Sequence, residues 1–361
     1  KRQVDGPVPM SLLPDSAQAG PRGELQIGGL SVDELAAKYG TPLFIYDEEH
    51  LRSRCREALT ALGAGTAYAS KAFLCTAMAR LVNEEGLHID VASEGELLTA
   101  IAAEVPGERI VLHGNNKSLA ELSLARSHGV GRIVVDSFDE LSRLRNLHEV
   151  DGVVAPIQLR VTPGVEAHTH EYISTGQNDS KFGFGLESGA ARRAVESCAS
   201  NPGVELMGIH QHIGSQVFRA DSFARALEVV VAFSEPLGLP ELSVGGGLGV
   251  AYLESETAPS ISEWGEMLRE ACERLGVKAQ VSAEPGRSIA AQAAVTVYSI
   301  GTVKEIPGIR TYIAVDGGFG DNPRPMLYGS GYTAFAPTRC APRIISVSGW
   351  TTILAKPTVS P

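Results

Sequence analysis

The feature that most constrains the fold is a regular alternation of short apolar runs with helical patterns, which begins near residue 66. The apolar or β-branched runs predict strands, and segments such as 120–128 and 223–233 have helical spacing. This alternation is typical of a parallel sheet whose strands are joined by helices. Eight strands are predicted, around Ala67 and over 88–91, 110–112, 133–135, 157–161, 207–211, 242–244 and 280–283. Eight such units close a (β/α)8 TIM barrel, so the predicted fold class is α/β.

Polar or glycine residues stand at or just after the end of every predicted strand. In a TIM barrel the carboxyl ends of the strands form one face, and that face carries the functional site. The sequence therefore predicts a single site that is assembled from eight strand ends: Lys71, Asp90, His113, Asp136, Arg160, His212, Gly245 and Glu284.

The two ends of the chain are predicted to form a second, smaller domain. Residues 41–46 and the stretch from 311 onward have strand patterns that are separated by turn residues. We expect a mobile leader over 1–23, N-terminal strands of a β-domain over 24–47, the barrel over 48–310 and a mostly β C-terminal domain over 311–361.

Composition and charge exclude several classes of function. The 361 residues carry a formal net charge of -11, which would repel nucleic acid. No run reaches the ~18 apolar residues of a membrane span, so no membrane partner is expected. The cysteines are odd in number and contain no Cys-x-x-Cys pair, which argues against a disulfide framework or a zinc site and favours the cytoplasm: Cys55, Cys75, Cys198, Cys272 and Cys340.

Lys71 is the candidate for a reactive amine. It follows the first predicted strand in the run Tyr68-Ala69-Ser70-Lys71-Ala72, where burial would lower its pKa. A lone lysine more often covers apolar surface at the start of a helix. The assignment therefore depends on what the other strand ends carry.

The run Glu284-Pro285-Gly286-Arg287 follows the eighth predicted strand. A carboxylate at this place could hold a pyridine nitrogen protonated, which would make the ring an electron sink. Arg287 could bind a phosphate or a carboxylate with two guanidinium nitrogens. A tight turn with a surface ion pair explains the four residues equally well when they are taken alone.

Three consecutive glycines, Gly245, Gly246 and Gly247, follow the seventh predicted strand. Without side chains, their backbone amides could approach an anion. The run is not a dinucleotide fingerprint, because Val250 stands where that motif needs its third glycine. A phosphate site after the seventh and eighth strands is frequent in TIM barrels. A glycine turn without a ligand is the alternative.

The run from His210 to Ser215 follows the sixth predicted strand. Alternation along the strand places His210 and His212 on the same side. One histidine could stack on a cofactor ring, and Ser215 could bind the phosphate of that cofactor. Core histidines and a metal pair are the alternatives, and since further ligands are lacking no metal is expected.

Taken in chain order, these motifs resemble the alanine-racemase-like fold of pyridoxal-phosphate enzymes, in the branch of the diaminopimelate, ornithine and arginine decarboxylases. The resemblance covers about residues 29–349. It is carried by Tyr68 to Lys71, Asp90-Val91-Ala92-Ser93-Glu94, His113-Gly114-Asn115-Asn116-Lys117, His212 to Ser215, the three glycines, and Glu284 to Arg287.

The resemblance implies pyridoxal 5'-phosphate as the cofactor and a role for each motif. Lys71 would carry the cofactor as a Schiff base, His212 would stack on its ring, and Glu284 would bind its pyridine nitrogen. These three residues are the expected catalytic residues. The remaining residues of the expected cofactor pocket are Asp90, Ser215, Gly245, Gly246, Gly247, Pro285, Gly286 and Arg287.

The segment from Asp321 to Gly329 is similar to one that holds the substrate's second carboxylate in the diaminopimelate branch. The similarity implies that Arg324 and Tyr328 bind this carboxylate, with Arg287 as a third substrate-binding residue. A relative that forms a diamine has no carboxylate to bind there. The expected reaction is therefore the decarboxylation of meso-diaminopimelate to L-lysine.

The resemblance stops after Ser348-Gly349. In the family a Cys-Glu motif and a later tyrosine follow, and a second subunit of a homodimer completes the site. Here residues 350–354 replace the motif, so we expect a homodimer whose chain is truncated at its C-terminus. Two alternatives stay open: a cofactor-binding pseudoenzyme, and a decarboxylase of another amino acid such as ornithine, arginine or lysine.

Overall fold

The computed structural model describes residues 10–21, 23–165, 180–335, 345–347 and 352–355. These residues divide into two compact units. The first unit takes the described residues within Lys1–Leu51, Val250–Thr257 and Ala291–Pro361, and the second takes those within Arg52–Gly249 and Ala258–Ala290.

The strands and helices of the described residues are numbered in chain order. The strands are β1 Gln18–Ala19, β2 Leu25–Ile27, β3 Leu30–Ser31, β4 Leu43–Tyr46, β5 Ala67–Ala69, β6 His88–Val91, β7 Ile110–Leu112, β8 Arg132–Val135, β9 Ala155–Thr162, β10 Phe184–Gly185, β11 Val204–Gln211, β12 Glu241–Ser243, β13 Gln280–Ser282, β14 Ala294–Val297, β15 Ile300–Ile306, β16 Arg310–Val315, β17 Thr333–Ala334, β18 Ile345–Val347 and β19 Thr352–Ala355. The α-helices are α1 Val32–Tyr39, α2 Glu48–Leu62, α3 Thr76–Glu84, α4 Glu94–Ala102, α5 Leu119–Ser127, α6 Phe138–Asp151, α7 Ala190–Ala199, α8 Ala220–Ser234, α9 Ile261–Leu275, α10 Arg287–Ala290 and α11 Arg324–Tyr328.

The second unit is a parallel barrel. Its strands follow the order β5-β6-β7-β8-β9-β11-β12-β13, and all neighbours are parallel. The ends meet, because the amide of Ala67 donates to the carbonyl of Ala283 (3.0 Å) and that of Ala69 to Pro285 (3.1 Å). A helix follows each strand before the next begins. The predicted TIM barrel is confirmed, with β10 as an extra two-residue strand beside β9.

Continuous burial explains why the strands of the barrel could be recognised. All three residues of β5 and most residues of β6, β8 and β9 are buried, as expected for parallel strands that are covered on both faces. Several helices begin at a serine whose hydroxyl accepts a backbone N–H of the first turn. Such caps, each of which stabilises a helix by about 1 kcal/mol, fix where α4, α5, α6 and α9 start: Ser93, Ser118, Ser137 and Ser260.

The first unit is rich in antiparallel strands. It contains the sheet β1-β2-β3, the pair β4-β14 and the sheet β15-β16-β19-β18-β17. A hydrophobic cluster joins Leu13, Ala17, Leu25, Ile27 and Val32, with Ile45, Val295, Val297 and Phe335 packed against it. Leu13 and Ala17 come from the segment that the sequence assigned to a mobile leader, and α1 lies inside the segment that it assigned to strands.

In the described part of the chain, no helix combines the length and the apolar character that crossing a bilayer requires.

Candidate active site

Lys71 lies in a short 3-10 turn, Ser70–Ala72, directly after β5. Tyr68, Ala69 and Ser70 are buried, but Lys71 itself is exposed, because the turn carries it beyond the packed end of the strand. The predicted burial of Lys71 is therefore wrong. Its positive charge nevertheless reaches the neighbouring strand ends, where it acts to lower the pKa of His212 and of Asp90.

Glu284 follows β13 and is buried, with three side chains around its carboxylate. The hydroxyl of Ser243 donates to Oε1 at 3.0 Å. Nε2 of His210 lies 3.1 Å from Oε2, and Nε2 of His113 lies 3.4 Å from Oε1. Burial alone would raise the pKa of Glu284, but the two histidines outweigh it and hold this pKa well below its usual range.

Asp90, at the carboxyl end of β6, shares His113 with Glu284. Its Oδ1 lies 3.4 Å from Nε2 of His113. Burial is the main reason that the pKa of Asp90 is raised to about 6, and Glu284 raises it further while His113 and Lys71 act in the opposite direction. The strand ends thus bring two carboxylates into contact with one imidazole nitrogen.

His212 follows β11 and presents a half-buried ring. Its Nδ1 accepts the backbone N–H of Gly246 at 3.3 Å, so the neutral ring carries its proton on Nε2. Burial, with Lys71 and Arg160 as positive neighbours, holds the pKa of His212 well below its ordinary value. The ring is therefore neutral at physiological pH.

The loop of Gly245, Gly246 and Gly247 leaves no room for side chains. A Cβ at these positions would overlap the backbone oxygens of Gln211, Glu284 and Gly214, respectively. Gly245 and Gly247 also adopt φ values of 68° and 117°, which other residues rarely reach. The loop therefore presents backbone alone, which is the surface that phosphate groups bind in many proteins.

Ser215 and Arg287 meet beside this loop. Arg287 begins α10, and its Nη2 donates to Oγ of Ser215 at 3.2 Å. At Gly286 a Cβ would lie 2.8 Å from the backbone oxygen of Ala69. The run from Glu284 to Arg287 thus packs closely against the strand that leads to Lys71. Glu284 is buried, so the alternative of a tight turn with a surface ion pair does not describe this run.

Asp136 and Arg160 form a further group at the same end of the barrel. Nη1 of Arg160 lies 3.9 Å from Oδ2 of Asp136, and its guanidinium lies 4.4 Å from the ring centre of Phe182. Asp136 also accepts the backbone N–H of Gly183. These residues were expected at strand ends and were given no individual role.

Sequence reasoning assigned no role to four other residues that shape the site. His113 and His210 were noted by position, but their contact with Glu284 depends on closure of the barrel. Ser243 lies two residues before the first glycine, on the face that points inward. Lys117, part of a quoted motif, is fully buried and donates to Glu140 Oε1 (2.7 Å) and to the carbonyls of Gly114 and Val134.

Arg324 and Tyr328 lie in the first unit, at the two ends of α11. The guanidinium of Arg324 lies 5.5 Å from the ring centre of Tyr328 and 5.8 Å from that of Tyr252. Its Nη2 donates to Oγ of Ser330 at 3.3 Å. Cys340 lies outside the described residues.

His113, His210 and Glu284 each offer an atom of a type that binds metals, within 4.8 Å of one another. Here the imidazole nitrogens face the carboxylate oxygens themselves, and Ser243 occupies Oε1 as well. We therefore interpret the cluster as a hydrogen-bonded network. A buried carboxylate, a neutral ring and a backbone loop at one end of a barrel form a donor set that suits an aromatic cofactor with a phosphate group.

Comparisons with known proteins agree with this interpretation. The family described as "Pyridoxal-dependent decarboxylase, pyridoxal binding domain" matches residues 48–291. A diaminopimelate decarboxylase of Bacillus subtilis is 44% identical over 346 residues, which are 91% of this chain and 79% of that protein. One of Mycobacterium tuberculosis is 43% identical over 331 residues, 86% of this chain and 74% of that protein.

Solved structures give the same result. A diaminopimelate decarboxylase of M. jannaschii superposes with a TM-score of 0.81 at 29% identity, covering 89% of this chain and 77% of that one. Its complex with L-lysine gives a TM-score of 0.81 at 26% identity and covers 95% of this chain and 87% of that one. The chain therefore belongs to the diaminopimelate decarboxylase family of pyridoxal-dependent decarboxylases.

Proposed function

We propose that this chain decarboxylates meso-diaminopimelate to L-lysine and CO2 with pyridoxal 5'-phosphate as its cofactor. One observation carries the proposal: a buried, ionised Glu284, a neutral His212 and a side-chain-free glycine loop lie at the same barrel end as Lys71. Relatives named diaminopimelate decarboxylase support the choice of substrate, and the crystal structure of one such enzyme contains L-lysine.

The residues fit the cofactor in size and charge. The glycine loop and Ser215 would hold the phosphate. Arg287 donates a hydrogen bond to Oγ of Ser215 and so fixes the position of this hydroxyl. His212 would cover the ring, and Glu284 would accept the hydrogen of the pyridine nitrogen. Asp90, Pro285 and Gly286 would complete the wall around the ring.

When bound, the cofactor supplies an electron sink for the electron pair that remains on the α-carbon after CO2 leaves. Glu284 favours a protonated pyridine nitrogen, because a buried carboxylate with fixed donors stabilises an adjacent positive charge. The neutral ring of His212 would shield one face of the cofactor ring from water without adding charge. Lys71 would hold the cofactor through its amine.

Arg324 and Tyr328 are proposed to select the substrate. A guanidinium binds a carboxylate through two parallel hydrogen bonds, which a lysine cannot reproduce. Tyr252 and Tyr328 lie beside this guanidinium and restrict its orientation. Arg287 is proposed as a further contact to the substrate.

We also propose that the enzyme acts as a homodimer in the cytoplasm. The dimer rests on the resemblance to the decarboxylase family, in which a second subunit completes the site. The compartment rests on the cysteines that the structure describes, which are free thiols: Cys55, Cys75, Cys198 and Cys272. Sedimentation equilibrium of the holoenzyme tests the dimer, and a monomer mass at micromolar concentration would contradict it.

The test of the proposed function is formation of lysine. Purified chain, reconstituted with pyridoxal 5'-phosphate, is incubated with meso-diaminopimelate, and lysine and CO2 are measured. Equal amounts of both products are expected. A chain that binds the cofactor but forms no lysine would instead be a pseudoenzyme, and turnover of ornithine or arginine in preference would identify a different substrate.

A further inference from the structure

His113 and His210 both lie against the carboxylate of Glu284. His210 lies on β11 and His113 follows β7. Both are buried, with 1% of His210 and 8% of His113 exposed, and their rings meet edge to face with centres 4.9 Å apart. The proposed function gives neither of them a role, although each places Nε2 within 3.4 Å of one oxygen of the same carboxylate.

We propose that His113 and His210 are positioning residues that keep Glu284 ionised for the cofactor's pyridine nitrogen, and that Asp90 takes up the proton of this network as the pH falls. The inference rests on the proposed binding of pyridoxal 5'-phosphate, and it adds the residues that set the charge of its partner.

The hydrogen bond from Ser243 shows that Oε1 of Glu284 acts as an acceptor. The amide of Gly245 donates to Oγ of Ser243 at 3.3 Å, so the hydroxyl hydrogen of Ser243 is directed to Oε1 of Glu284 at 3.0 Å. Nε2 of His210 lies 3.1 Å from Oε2, the second oxygen, where an imidazole N–H would donate to an ionised carboxylate.

Asp90 competes with Glu284 for the same imidazole nitrogen. Nε2 of His113 lies 3.4 Å from an oxygen of each carboxylate, and it carries one hydrogen at most. Glu284 has two further polar partners, the hydroxyl of Ser243 and Nε2 of His210, in addition to His113. Of the two carboxylates, Asp90 is therefore the one that takes up a proton first, since its pKa is raised to about 6 while the pKa of Glu284 stays low.

The other charged groups around the network are consistent with this order. Lys71 and His113 favour an ionised Asp90, whereas Glu96 and Glu284 oppose it. Arg160 and His212 lie within range of the charge of Glu284. Removing His113 or His210 takes away a favourable partner of Glu284, so the pKa of Glu284 must rise.

The experiment measures binding of pyridoxal 5'-phosphate to the apo-protein between pH 5.5 and 8.5 by its change in absorbance and by quenching of protein fluorescence. The variants are His113→Gln and His210→Gln, which keep an amide donor and remove the imidazole. The matched control is His88→Gln. His88 is half-buried and lies at the amino end of β6, whereas Asp90 lies near its carboxyl end. We expect affinity to fall about ten-fold more at pH 5.5 than at pH 8.5 in the two histidine variants. Burial, no longer opposed by both histidines, raises the pKa of Glu284 above the lower pH, and a pKa one unit above that pH leaves about a tenth of the carboxylate ionised. No such difference is expected in the control.

A second readout follows Glu284 directly. The titration of Glu284 can be followed by the carboxyl ¹³C signals of the apo-protein, with Glu284→Gln to assign its signal. Glu284 should titrate at higher pH in His113→Gln and in His210→Gln than in the wild type. Ser243→Ala, which removes one neutral donor, should shift it less, and it serves if a histidine variant does not fold. An unshifted Glu284 titration, or a loss of affinity that is equal at every pH, would overturn the inference. If the wild type bound no cofactor, the proposed function would fail, while the carboxyl titration would still decide the role of the histidines.

Discussion

Gly246 lies against the backbone of Glu284, so it joins the glycine loop to the segment that carries this buried carboxylate. Since a Cβ at this position would overlap the carbonyl oxygen of Glu284, Gly246→Ala must push the two segments apart. We expect a loss of about 3 kcal/mol in unfolding free energy and much weaker binding of pyridoxal 5'-phosphate. Urea unfolding and cofactor titration measure the two effects.

The matched control for this substitution is Gly95→Ala. Gly95 lies within α4, and nothing would contact the added methyl group within 4 Å. This variant should be neutral or more stable by up to about 1 kcal/mol. Equal behaviour of the two variants would show that the glycine loop is not constrained by its contacts.

Asp90 makes stability depend on pH with a definite sign. Its pKa is raised from 3.8 to about 6 in the folded protein, so between these values the folded state binds more protons than the unfolded state. The ionised side chain therefore costs stability above pH 6, and this cost disappears as the pH falls toward 4. Asp90→Asn of the apo-protein should be more stable than the wild type by about 2 kcal/mol at pH 8, with a smaller gain at pH 5. A gain that grew on acidification would be the wrong sign.

Arg324 should decide between substrates with and without a second carboxylate. Arg324→Ala is expected to lower kcat/KM for meso-diaminopimelate about 100-fold, since charged hydrogen bonds are lost, and to leave any slow turnover of lysine or ornithine nearly unchanged. Arg324→Lys should recover only part of the loss, because an ammonium cannot form the paired contact. Equal losses on all substrates would argue for a structural role.

At the scale of elements, one ion pair ties the loop before α5 to α6. Lys117 and Glu140 are 1% and 2% exposed, and Nζ lies 2.7 Å from Oε1, while the second oxygen of Glu140 accepts the amide of Asp136. Lys117→Met leaves Glu140 buried without its cation and should cost about 4 kcal/mol. The double variant Lys117→Met/Glu140→Leu should recover a good part of this cost. Chemical unfolding of the three proteins tests the coupling, and strictly additive losses would refute it.

The elements that the sequence predicts best are the buried strands. The predicted ranges 88–91 and 110–112 coincide with β6 and β7, and the other barrel strands differ by a few residues at their ends. Continuous apolar runs bounded by polar residues make such strands visible in a sequence. The two-residue strands β1, β3 and β10 were not predicted, because their pairing depends on distant partners rather than on a local pattern.

The site divides in the same way. Lys71, His212, the glycines and Glu284 could be proposed from local motifs and strand ends. The contacts of His113, His210 and Ser243 with Glu284 could not be proposed in this way. These residues are separated by up to 171 positions and become neighbours only when β13 closes onto β5. The exposure of Lys71 was also beyond sequence reasoning, because it depends on how the turn after β5 leaves the barrel.

At the scale of the whole barrel, a polar network also stabilises the end opposite the candidate site. At the amino end of the strands, Arg132 pairs with Glu241, and Gln158 donates to the same carboxylate at 2.9 Å, which joins β8, β9 and β12. The candidate cofactor residues lie at or after the carboxyl ends of the strands. This separation is general in TIM barrels and lets the site change without loss of the fold.

Lys71 is proposed to carry pyridoxal 5'-phosphate in a site that releases CO2 from meso-diaminopimelate. Visible absorbance of the lysine-bound cofactor and formation of lysine, measured together in the wild type and in Lys71→Ala, test this role. We expect the wild type to show both, and Lys71→Ala to lose the absorbance band and the turnover while remaining folded. Retention of the band in Lys71→Ala, or its absence from a folded wild type saturated with cofactor, would show that Lys71 does not carry the cofactor.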